Sequence, residues 1–252
     1  MKKLLSILSF VVLSFPLFAQ EEAPEIEDIK HYSEEGKSGL TRAQRKYFVT
    51  IGYGAGSANW FSKLIQSDLF DKDGTVLKSG DMDFRAKNRI NPFSFEASAP
   101  VGKIRLGLGI CFEKNFLDKI ILQNGTLNNG GNSVLFDENF RVDKLYGLVE
   151  VPFHPTAEKE FSFNFMGTMG YFNYTGIQRF NFFGEAALAK MFFMGAGFVA
   201  DYKIFPHTYA FVYPNLEFKY FRNNDNESPS IIIHRIFCYS ISGGIRIDVS
   251  KE

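Results

Sequence analysis

From residue 47 to the end, apolar and small or polar residues alternate with a period of two. In "YFVTIGYGAG", Tyr47, Val49, Ile51 and Tyr53 alternate with Phe48, Thr50, Gly52 and Gly54. In a β-strand, successive side chains point to opposite faces, so such a stretch builds a strand with two chemically different sides. The same pattern returns in "FSFEASA" (93–99), "IRLGLGICFE" (104–113), "LYGLVEVPF" (145–153), "FSFNFMGTMGYF" (161–172), "FFMGAGFVADYKI" (192–204), "VYPNLEFKY" (212–220) and "FCYSISGGIRIDV" (237–249). About eight strands follow, a normal count for a small barrel. The stretch "RFNFFGEAALAK" (179–190) leaves room for further strands, so ten is the alternative.

The contents of the two faces select the orientation. One face carries Phe, Ile, Val, Leu and Tyr; the other carries glycine, serine and charge. An eight-stranded barrel is only just wide enough inside for side chains, so the bulky apolar set does not fit there. Glycines such as Gly52, Gly107, Gly109, Gly197 and Gly244 leave room in a crowded lumen for larger polar partners. The expected lumen network is Glu96, Arg105, Glu113, Glu150, Asp201, Lys203, Glu217, Lys219, Arg246 and Asp248, paired because isolated buried charge is costly. The resulting fold class is all-β, an antiparallel up-and-down transmembrane β-barrel over 46–252, with closure satisfying the backbone groups in lipid.

Tight turns are expected at 100–103, 154–160 and 206–209, and long connections at 58–91, 114–141, 174–190 and 222–235. Short turns on one side and long loops on the other suit periplasmic and extracellular ends. Residues 1–19 have a basic start, an apolar middle and a small residue at Ala19, as a cleaved signal peptide does. The charged, aperiodic stretch 20–45 reads as a flexible periplasmic lead-in. Basic and acidic residues number 28 each, so no net field points to nucleic acid. Tyr47, Tyr202, Phe205 and Tyr220 are candidates for interfacial aromatic girdles.

Catalytic and metal constellations are not found. His31 lies in the lead-in, His154 and His207 in turns, and His234 is expected in a solvated loop near Ser230 and Glu227. The acidic stretches "DKDG" (71–74) and "NNDNE" (223–227) lack a full calcium-loop pattern and suit ordinary turns. No zinc spacing, phosphate loop or dinucleotide fingerprint occurs, and no cofactor is expected. Cys111 and Cys238 are expected as buried lumen thiols.

The signal peptide, "YFVTIGYGAG", "YGLVEVPF", "FMGTMGYF", "MGAGFVADYKI", "PNLEFKYF" and "YSISGGIRIDV" together resemble the small Gram-negative outer-membrane β-barrels, porin-like and of the OmpA/OmpX type. The resemblance spans 46–249 and rests on pattern. The closing "DVSKE" departs from the terminal Phe often seen in such barrels. It implies location in the outer membrane, with lipid and the insertion machinery as partners and an envelope protein as a further one. The function expected is a non-enzymatic envelope, adhesion or assembly role with a plugged lumen. The alternatives are a small-solute pore, an outer-membrane lipid hydrolase built on His234, and a soluble secreted ligand-binding barrel.

Overall fold

The computed structural model describes residues 46–70, 75–153, 161–175, 190–222 and 231–250. The signal peptide, the lead-in, the turn at 154–160, both acidic stretches and most of "RFNFFGEAALAK" lie outside them. The described residues form eight antiparallel strands closed into a barrel in chain order. These are β1 (Phe48–Phe70), β2 (Val76–Val101), β3 (Ile104–Leu122), β4 (Ser133–Pro152), β5 (Phe161–Thr175), β6 (Lys190–Phe205), β7 (Thr208–Arg222) and β8 (Ile231–Asp248). The closing β1–β8 ladder runs from Phe48 opposite Asp248 to Ile65 opposite Ile231. Every strand therefore has a neighbour on both sides, and the sheet has no open edge.

The turn at 100–103 forms as expected. Gly102 and Lys103 link β2 to β3, and Gly102 takes φ +59°, which the first central residue of a type II′ turn requires. A second tight turn falls at Pro206 and His207.

The expected long connections at 58–91 and 114–141 are instead mostly strand. β1 and β2 stay paired past the apolar stretches to Phe70 opposite Val76, with register shifts after Leu64 and Leu69. β3 and β4 pair as far as Ile121 opposite Ser133. The reason is a change of polarity along strands that stay paired, with local bulges, beyond the apolar band. Between Gly102 and the middle of the wall, β2 turns Phe95 and Val101 outward and Ser98 inward. Farther up the same strand, Phe84, Ala86 and Ile90 are buried inside while Arg85, Lys87 and Arg89 face out.

The barrel thus has two storeys. In the lower one, Ile51, Leu108, Leu145, Phe165, Leu216 and Ile241 are exposed on the outer face, Leu216 by 69% and Ile241 by 63%. Along β2 the apolar stretch spans Phe93 to Val101; at about 3.3 Å per residue and a tilt of about 40° it covers roughly 20–25 Å of height, the band of a membrane barrel. In the upper storey the apolar residues are inside: Trp60, Leu64, Phe84, Ile120, Phe140, Phe172, Phe193, Phe221 and Ile236 form one buried cluster.

Close packing in the lower lumen depends on glycine at defined points. Gly109 lies directly opposite Tyr146, and a Cβ there would fall 2.4 Å from the Tyr146 ring. At Gly167 a Cβ would meet nothing within 4 Å. Gly109→Val is expected to lower stability by roughly 1–3 kcal/mol through overpacking, and Gly167→Ala to leave it nearly unchanged. The temperature at which the folded gel band converts to the unfolded one measures both.

Candidate functional site: the lumen network and its apolar cap

The lumen face of the lower storey gathers charges from strands far apart in sequence. Near mid-height, Lys144 of β4 donates to Glu113 Oε2 at 2.6 Å and to the two oxygens of Glu217 at 2.8 and 2.9 Å. Lys219 of β7 bonds to Glu113 and approaches Glu217 Oε1 at 3.2 Å. Two carboxylates and two ammonium groups therefore form a closed quartet across the barrel. Cys111 stands opposite Lys144 and Cys238 opposite Glu217, and both thiols are free and buried.

A second group lies nearer the termini. Glu150 Oε1 accepts from Arg105 at 2.8 Å and from Arg246 at 3.0 Å. Arg246 also donates to Asp201 Oδ2 at 3.0 Å, and Asn164 donates to the same oxygen at 3.0 Å. Arg246 lies over the Phe48 and Phe211 rings at 5.7 and 5.6 Å. Glu96 accepts from the Tyr146 hydroxyl at 2.7 Å, and Asp248 pairs with Lys46 at 3.6 Å at the rim.

Nine of the ten charges expected inside therefore engage partners there or at the rim. Lys203 is the exception. It is exposed, because β6 runs on past the last lumen ring toward the turn at 206–207, where its pairing with β7 becomes irregular.

Four participants were not anticipated from the sequence. Lys144 and Tyr146 complete the two charge groups. Asn88 and Asn115 lie in what reads as loop sequence, yet Trp60 Nε1 donates to Asn88 Oδ1 at 2.6 Å, Asn88 to Asn115 Oδ1 at 2.5 Å, and Asn115 to Glu113 Oε1 at 3.0 Å. A continuous polar chain thus joins the aromatic cap to the quartet. The signal available was an Asn at lumen parity on each of two adjacent strands.

His234 is not in a solvated loop. It lies on β8, fully buried, because β8 begins at Ile231 and its even-numbered positions face the lumen. Its Nδ1 is 2.5 Å from Ser62 Oγ, and its ring packs against Trp60, Phe84 and Phe221. The pair therefore has a buried aromatic setting, not the solvated loop on which the hydrolase alternative rests. The space between the charge groups, lined by Glu96, Glu113, Lys144, Tyr146 and Glu217, is about 40 Å³, enough for a few waters.

No protein-family model matches the sequence, and no curated protein matches it. Solved structures do. They include the outer membrane protease OmpT from Escherichia coli, at 8% identity and a TM-score of 0.38 over 84% of this chain and 100% of that one. Neisserial surface protein A aligns at 10% identity and a TM-score of 0.39, over 78% and 96% of the two chains. The outer membrane protein OprG from Pseudomonas aeruginosa aligns at 10% identity and a TM-score of 0.44, over 83% and 99%. Independently of them, the closed sheet, the apolar outer band and the charged lumen define an eight-stranded barrel of the outer-membrane type.

Glu150→Ala would leave Arg105 and Arg246 facing each other without their shared carboxylate. A buried pair broken from one side costs about 3–5 kcal/mol. Arg141 and Asp143 are as close, at 2.7 Å, but Arg141 is 52% exposed, and Arg141→Ala should cost under about 1 kcal/mol. Urea unfolding of both variants in detergent measures the difference.

Proposed function

We propose that the protein is a sealed outer-membrane barrel with a non-enzymatic role in the envelope, exerted through the wall it raises beyond the membrane rather than through its lumen. The carrying observation is that both storeys are filled, the lower by paired charge and the upper by the aromatic cap around Trp60. A pore needs a continuous wet path, and neither filling leaves one. An isolated polar cluster could open for water, but the cap above it is mainly apolar, and its buried Ser62, His234, Asn88 and Asn115 are hydrogen-bonded within the protein.

The wall supports the same reading. β1 to β4 run for 23, 26, 19 and 20 residues, against 15 or 16 for β5 to β7. The extra length projects on one side of the barrel, away from the end where β1 begins and β8 ends. A rigid half-wall of paired strands is a suitable platform for adhesion or for assembly with another envelope protein.

In a planar bilayer, the full chain is expected to give no stable conductance steps. Steady single-channel openings would favour the pore alternative and reject the sealed lumen.

A further inference from the structure

The outer surface of β1–β3 changes character within a few residues. On β2, Phe95 and Phe93 give way, above Asn91, to Arg89, Lys87 and Arg85; on β3, Phe112 gives way to Lys114 and Lys119. All five cations are exposed. The change falls where the apolar band ends, at the height of lipid headgroups.

Two features separate this patch from an ordinary solvated face. First, like charges stand directly opposite each other: Lys87 faces Lys119, and Lys114 faces Arg141. Such cross-strand pairs destabilise a sheet unless an anion sits between them. Asp118 and Asp143 pair with Arg89 and Arg141 at 3.7 and 2.7 Å, whereas Arg85, Lys87 and Lys119 form no ion pair among the described residues. Second, the surface is concave. The β2–β3 register slips at Asp118, so that Asp118 and Lys119 are both exposed, and a groove of about 460 Å³ opens there. Four cations, Arg85, Lys87, Arg89 and Lys119, line it with Phe61 and a single carboxylate, Asp118, which is paired to Arg89. The Arg85 guanidinium lies over the Phe61 ring at 4.9 Å, which fixes that charge at the far end of the groove, two residues beyond Lys87.

We propose that this groove binds the phosphorylated headgroup of a membrane lipid. Lys87 and Lys119 converge on the phosphate, Arg85 and Arg89 flank it, and the acyl part runs down the wall past Phe116, opposite Arg89, toward Phe93 and Phe112. The occupant is anionic and greasy at once, because the cationic groove opens just above the outward Phe93 and Phe112, where the apolar band ends; a free anion uses the cations alone. The inference rests on the membrane reading.

The test uses the full chain in detergent, titrated with phosphatidic acid or phosphatidylcholine and read by native mass spectrometry. Wild type should prefer phosphatidic acid by about tenfold, equivalent to ~1.4 kcal/mol. The Lys87→Ala/Lys119→Ala double variant should bind the two lipids nearly equally. Without lipid, its unfolding midpoint should match or exceed that of wild type, since a repulsive pair is gone. Inorganic phosphate at millimolar concentration should not displace the lipid. A variant that keeps the preference, a wild type without one, a destabilised variant, or displacement by inorganic phosphate would each overturn the proposal. In a companion vesicle flotation, a chain that stays in the aqueous phase overturns the membrane reading itself, whereas one that inserts without lipid preference overturns the groove alone.

Discussion

Closure of the sheet between β1 and β8 is the constraint on which everything else depends. Hydrocarbon offers no hydrogen-bond partner, so a strand can cross a bilayer only when both of its edges are paired. With eight strands, closure also fixes a narrow interior. Everything pointing inward must then fit and be satisfied there. Charges meet as the Glu113–Lys144–Glu217–Lys219 quartet and the Arg105–Glu150–Arg246–Asp201 group because neither set has water to fall back on. Tyr146 finds space for its ring only because Gly109 faces it.

Above the membrane band the surroundings of the outer face change from lipid to water, and the side chains exchange places accordingly. Trp60, Phe84, Phe140 and Phe221 move inside, while Arg85, Lys87 and Arg89 move out. The strands do not break at this border, so one continuous wall presents two opposite solvent rules. The Trp60–Asn88–Asn115–Glu113 chain bridges the border inside the barrel and keeps its polar groups satisfied where aromatic cap meets charge.

The lower storey was legible in the sequence because lipid imposes one strict rule: apolar out, small or polar in. "FCYSISGGIRIDV" follows it over its whole length, and its Arg246 and Asp248 point inward as the alternation requires. The upper storey is not legible, because the rule inverts while the strands stay paired, and bulges such as the one at Asp118 shift the alternation. Searched for apolar-out strands, 58–91 and 114–141 look like loops, although Leu64, Phe84, Asn88 and Asn115 keep lumen parity throughout. His234 follows the same inversion: in the upper part of β8 it keeps lumen parity and is buried. In the lumen network, parity alone located most members, but partners depend on which strands become neighbours or face each other across the barrel. Glu113 and Lys219 are 106 residues apart, and only the folded register brings them together. Lys144 stands one residue before the apolar-out stretch of β4 begins at Leu145, so alternation does not reveal it.

Depth profiling along β2 tests the two-storey barrel most directly. With Cys111 and Cys238 replaced by serine, a spin label is attached at Ala97 or at Lys87 in the bilayer-reconstituted chain, and collision with oxygen is compared with collision with a water-soluble nickel chelate. The Ala97 label should meet oxygen and be shielded from nickel, and the Lys87 label should meet nickel freely. Equal nickel access at both positions would mean that the lower face lies in water, contrary to a barrel whose outer surface passes from hydrocarbon to solvent within one strand.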